Sequence, residues 1–145
     1  MDIINSQIDK YLTAWHGGPQ LISGDRLQKL AIELMNYENG IQAGVGGTLA
    51  AAYPLKARYS IVNFVNNESD SVLLPFAIPG SIINVANITA KGITVYAQAE
   101  NPHNGGLPDS IFPIASSTGV PSSGQSPFVS NIYYCIVKGQ WVLFF

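Results

Sequence analysis

The sequence predicts a mainly β protein: an antiparallel β-sandwich or barrel-like domain of about seven strands, preceded by an N-terminal arm and one short helix. Three observations lead there. From Lys56 onward, short runs rich in β-branched and aromatic residues alternate apolar and polar positions, the period of a half-buried strand. Gly, Pro and Asn punctuate those runs, and several short strands joined by such turns favour a sandwich or barrel. Ahead of Lys56, the strongest periodicity is helical.

Residues 1–22 read as an arm. Ile3, Ile4, Ile8 and Leu12 fall at weakly helical spacing, and Gly17-Gly18-Pro19 breaks any helix they start. The arm has little to pack on by itself, so it is expected to make contacts outside its own domain. Residues 23–55 read as a helix and a Gly/Ala linker. Ser23 or Asp25 caps the helix start, and Gly40 suits the left-handed position past its end. Between them Leu27, Leu30, Leu34, Tyr37 and Ile41 form an a/d stripe. A stripe of about two heptads is too short to hold a helix in isolation. It needs a cover, either the chain's own sheet or copies of itself. The linker contains Gly44, Gly46 and Gly47 but lacks the Gly-Lys-Ser/Thr ending of a phosphate loop.

Residues 56–145 read as the β domain. ARYSIVNFV alternates cleanly, NNESD is a turn, and SVLLPF is a strand in which Pro75 marks an edge or a bulge. SIINVAN and GITVYAQ follow, then the loop ENPHNGGLPDS, the short strand IFPIA and a Ser/Pro/Gly-rich stretch at 116–127. NIYYCIV and QWVLFF close the chain as a hairpin across Lys138-Gly139. Cys135 reads as a small buried hydrophobe in that hairpin. In QWVLFF, alternation sets Trp141, Leu143 and Phe145 on one face, with Val142 and Phe144 on the other. Both faces are apolar. One fills the domain interior, and the other needs the helix or a neighbouring subunit to cover it. Phe144 therefore joins the Leu27–Ile41 stripe as a candidate subunit contact.

Composition narrows the function classes. Only 11% of the 145 residues are charged, against about 25% in an average soluble protein. Surface charge keeps small monomers apart, so a chain this poor in charge is expected to hide surface in an assembly. The net charge is −2 with no basic block, which disfavours nucleic acid as a partner. The charge-free stretch Ser71–Ala90 is broken by Pro75, Pro79 and Gly80, so it is not a membrane span. MDIINSQIDK has neither the basic nor the apolar region of a secretion signal.

Catalytic signatures are missing. His16 and His103 have no metal-ligand spacing and no Cys pair beside them, and there is no nucleophile-elbow motif. No cofactor is expected, and the chain does not read as an enzyme. The most site-like stretch is AENPHNGGLPD, whose Glu100, His103, Asn104 and Asp109 are weak candidates for holding a cation or a sugar. The competing reading is a turn-rich loop whose Asn and Gly serve the backbone.

SIINVANITAKGITVYAQ, the HNGG loop, a small-residue stretch and the closing YYCIVKGQWVLFF together resemble a pattern of tailed-bacteriophage virion proteins. ISGDRLQKLAIELMNYENGI with GVGGTLAAAYPL is similar to the helix and linker preceding such β domains. The pattern recurs in capsid decoration (cement) proteins and in tail-fibre or tailspike modules. The resemblance implies a sandwich-like domain, homotrimeric assembly and a structural role. The leading expectation is a decoration protein on the phage head, made in the host cytoplasm, that trimerises and clamps major capsid subunits. Leu27, Leu30, Leu34, Tyr37, Ile41 and Phe144 would form the subunit interface, while Ile3, Ile4, Ile8 and Leu12 would touch the capsid. The alternatives are a tail-fibre or receptor-binding module, and a carbohydrate-binding module using loop 99–110.

Overall fold

A computed structural model describes residues 36–114 and 122–144 of the chain. The fold is mainly β, with two mixed sheets. Its ten strands are β1 (Tyr37–Gln42), β2 (Tyr53–Pro54), β3 (Tyr59–Phe64), β4 (Asp70–Leu73), β5 (Ile82–Asn87), β6 (Ile93–Tyr96), β7 (Ser110–Phe112), β8 (Ser122–Gln125), β9 (Val129–Val137) and β10 (Gln140–Phe144). Among the described residues one 3-10 turn, Pro102–Asn104, interrupts them.

The six-stranded sheet has the order β1-β3-β5-β9-β10-β7, and the four-stranded sheet has the order β2-β4-β6-β8. The first six strands alternate between the sheets. Each lies parallel to the strand two before it, so β1, β3 and β5 stack in one sheet while β2, β4 and β6 stack in the other. This progression is solenoid-like, and it corrects the expectation of an antiparallel sheet. A chain that crosses to the other sheet after every strand returns in the direction it left, which makes its neighbours parallel. Antiparallel pairing enters only with β8 against β6 and with β9 between β5 and β10.

Two further expectations are corrected. About seven strands were expected, and the described residues form ten. Tyr37 and Ile41 were expected on a helix that continues to Gly40, but they lie in β1. Residues 37–42 are therefore a strand and not a helix end, and a turn-rich loop at 43–52 joins it to β2. The loop after β1 is packed: Gly44 and Ser71 exchange backbone hydrogen bonds at 2.8 and 3.0 Å. A Cβ at Gly44 would overlap the Ala51 carbonyl, which is why no other residue fits there.

Period-two burial builds the interior. Val62, Ile83, Val85, Tyr133, Cys135, Trp141 and Leu143 point inward from the large sheet. They join Val72, Ile93 and Val95 of the small sheet in one apolar cluster. Trp141 and Tyr133 are its largest fully buried side chains, and the Trp141 indole donates to the Pro75 carbonyl at 3.3 Å. Burial pushes the Cys135 thiol up to about 11. The β9–β10 hairpin turns at Lys138-Gly139 as expected, with Gly139 at φ 80°. A side chain at Gly139 would press on the Asn104 carboxamide beneath it.

Buried polar side chains fasten the loops. The Asp70 carboxylate accepts from the backbone N–H groups of Gly46, Asn66 and Asn67 at 3.0–3.1 Å. Asn87 donates to the carbonyls of Lys91 and Ser126 and accepts from Thr89. These anchors consume polar groups that read, in the sequence, only as turn residues.

Candidate functional site

The side of the large sheet that faces away from the core is mostly apolar, with Asn84 and Ser130 among its residues. Register fixes which residues are neighbours on it. One row runs Tyr37, Tyr59, Asn84, Ile132, Phe144 across β1, β3, β5, β9 and β10. A second runs Ile82, Tyr134, Val142, Phe112 across β5, β9, β10 and β7. A third holds Ile61, Ala86 and Ser130. None of these twelve residues is charged. Tyr37 is 57% exposed, Phe144 50% and Ile132 42%.

Near β1 the face dips into a groove of about 230 Å³ whose walls include Tyr37, Tyr59, Ile61 and Ala86. On its floor the Ser130 hydroxyl donates to the Asn84 carboxamide oxygen at 2.6 Å, so part of the polar capacity there is already used. The Arg58 guanidinium lies 5.9 Å from the centre of the Tyr59 ring. A neutral, mostly apolar wall of this kind is suited to burying another apolar surface.

The loop between β6 and β7 does not converge on a ligand. Asp109 is fully buried, and its two oxygens accept from the Ala77 N–H and the Asn101 side-chain amide, each at 2.8 Å. Burial raises its carboxyl above the usual aspartate range, and these two hydrogen bonds and the nearby His103 pull it back down. Asn101 also caps the 3-10 turn by accepting from the His103 N–H. The His103 ring stands edge-on to Phe76, with centroids 5.5 Å apart. Asn104 lies under the Gly139 turn, and Glu100 faces solvent. Of the four loop candidates, Asp109 is turned inward with its oxygens committed, His103 lies near it, and Glu100 faces solvent. Among the described residues no group of three or more His, Cys, Asp or Glu side chains is placed to hold a metal ion. No helix among them is long and apolar enough to cross a membrane.

The other expected site residues divide. Tyr37 and Phe144 stand at opposite ends of one row of the outer face. Ile41 is 2% exposed. It fills the core of its own chain, because the inward side of β1 packs against the apolar cluster, so it cannot serve as a subunit contact. Leu27, Leu30, Leu34, Ile3, Ile4, Ile8 and Leu12 lie outside the described residues, as does Phe145. Sequence reasoning missed Tyr59, Ile132 and Phe112. The signal was present as apolar residues on both phases of each strand, but only the register puts them side by side. Comparison with known protein families, with curated proteins and with solved structures finds no match to this chain.

Proposed function

We propose that the chain is a structural virion protein, a phage capsid decoration (cement) protein that acts as a homotrimer and clamps neighbouring major capsid subunits. The observation that carries this reading is the uncharged outer face of the six-stranded sheet. Tyr37, Tyr59, Ile132 and Phe144 are among its exposed large side chains, and clustered exposed apolar side chains mark interaction surfaces. The low total charge of the chain points the same way. In this reading the two sheets pack face to face as a sandwich around their shared cluster, and the outer face of the larger one is the contact surface. Ile3, Ile4, Ile8 and Leu12, ahead of the sheets, are assigned to the capsid.

Counting copies on purified virions tests the reading. A decoration protein is present at a fixed, high ratio to the major capsid protein and comes off without disrupting the tail. A few copies that co-purify with isolated tails would favour the tail-fibre alternative instead. Absence from virions, together with retention on a glycan array, would favour a carbohydrate-binding module.

A further inference from the structure

We propose that Asn39 is a site of spontaneous covalent modification, at which the side-chain amide is converted through a cyclic imide to an aspartate or isoaspartate carboxylate. The inference does not depend on the trimeric reading. The chain has two Asn-Gly pairs, Asn39-Gly40 and Asn104-Gly105. In such a pair the backbone nitrogen of the glycine can attack the asparagine Cγ, because glycine has no side chain to block the approach and its backbone turns freely. The fold treats the two pairs differently.

Asn39-Gly40 stands open on the edge strand β1. Glu38 pairs with Ser60 and Ile41 with Val62, so β1 has two residues between these pairs where β3 has one. The extra residue makes a bulge, and Gly40 takes φ 78° within it. Both Asn39 and Gly40 are exposed. The Gly40 N–H donates to the Asn39 side-chain oxygen at 2.9 Å, which folds the carboxamide back against the nitrogen that attacks it. The same N–H donates to the Asn63 side-chain oxygen at 2.7 Å. That second bond is exposed and lies at a bulged sheet edge, where local opening costs least. Asn104-Gly105 is enclosed instead. The Asn104 N–H donates to the Asn101 carbonyl at 2.9 Å, and the Asn104 carbonyl accepts from the Leu107 N–H at 3.2 Å. The Asn104 carboxamide lies so close beneath Gly139 that a Cβ there would press on it. Bringing it to the Gly105 nitrogen means breaking that packing.

The step balances with water alone. The Gly40 nitrogen gives up its proton to solvent base and bonds to the Asn39 Cγ. The Cγ–Nδ2 bond breaks, and the amide nitrogen leaves as ammonia. Water then opens the imide. Opening at Cγ gives aspartate, and opening at the main-chain carbonyl gives isoaspartate, whose main chain runs through the former side chain. Either product places a carboxylate where the sequence encodes a neutral amide. Asn39 shares the strand phase of Tyr37, so the charge falls at the β1 end of the outer face, whose three rows carry none.

The test incubates the full-length chain in mildly alkaline buffer, folded and in urea. Peptide mass spectrometry follows both Asn-Gly pairs, and isoaspartyl methyltransferase labelling identifies the isoaspartate. In the folded chain the Asn39 peptide should gain the amide-to-acid mass shift several-fold faster than the Asn104 peptide. In urea both pairs are open, and Gly105 is followed by a second glycine, so that preference for Asn39 should vanish or reverse. Asn39→Gln, a conservative change at an exposed position, should remove most of the acidic shift that the folded chain acquires, while melting as the wild type does. Faster conversion at Asn104 in the folded chain, or equal rates at the two sites, overturns the proposal. So does an Asn39 that stays an amide in the folded chain over a time in which the urea-unfolded chain converts.

Discussion

Asp109 shows how one side chain can turn an apparent ligand loop into a fastener. Its oxygens hold the Ala77 N–H and the Asn101 amide, and removing the carboxylate would leave the buried Ala77 N–H without that acceptor and the Asn101 amide with only the Ala77 carbonyl at 3.5 Å. An unsatisfied buried polar group costs about 1–3 kcal/mol. Asp109→Ala should therefore lower stability by about 2 kcal/mol, measured by urea unfolding, without releasing any bound ligand. The pH dependence has a definite sign. The folded carboxyl titrates above the unfolded one, because burial outweighs the two hydrogen bonds. The contribution from this shift is complete below the unfolded value and is lost as pH rises through the folded value. The gap between wild type and Asp109→Ala should thus narrow as pH climbs from the ordinary aspartate range. A gap that widens over that range would mean that the hydrogen bonds dominate instead.

At the level of elements, the terminal hairpin was the most legible part of the chain. Trp141 and Leu143 are 0% and 5% exposed, and Gly139 supplies the left-handed turn, as the alternation of QWVLFF and its Lys-Gly turn require. Strands β3 to β6 were legible for the same reason. Their pairing was not, because a period of two is the same for parallel and antiparallel neighbours. The choice depends on the crossing between sheets, which is a long-range property. The start of β1 was misread because the 3,4 spacing of the leucines runs on through Tyr37 and Ile41, residues that suit a strand equally well. Part of the candidate surface was visible in advance as Tyr37, Val142 and Phe144. Tyr59 and Ile132 became part of it only through register. Opposite faces of β10 should respond differently to truncation. Trp141→Ala should cost about 3–5 kcal/mol, from lost transfer energy and the cavity left behind, and it should do so at any protein concentration. Phe144→Ala should cost less per chain and make the melting temperature more dependent on concentration. Equal, concentration-independent losses from both would place Phe144 against its own chain.

For the whole molecule, the account joins two observations: low charge, and an outer sheet face whose three rows carry no charged residue and are mostly apolar. Burying that face costs little in charge desolvation and gains the hydrophobic free energy that an isolated chain forgoes. A domain of this size holds only about 5–15 kcal/mol of stability in total, so the proposed cover on that face would be a sizeable share of it. The most direct test is the mass in solution of the full-length wild-type chain at micromolar concentration, measured by light scattering alongside Phe144→Asp. The account predicts the mass of three chains for the wild type and dissociation for the variant, in which a carboxylate replaces an apolar side chain of the outer face. A wild type that is a monodisperse, cooperatively melting monomer, with Phe144→Asp indistinguishable from it, would contradict the account.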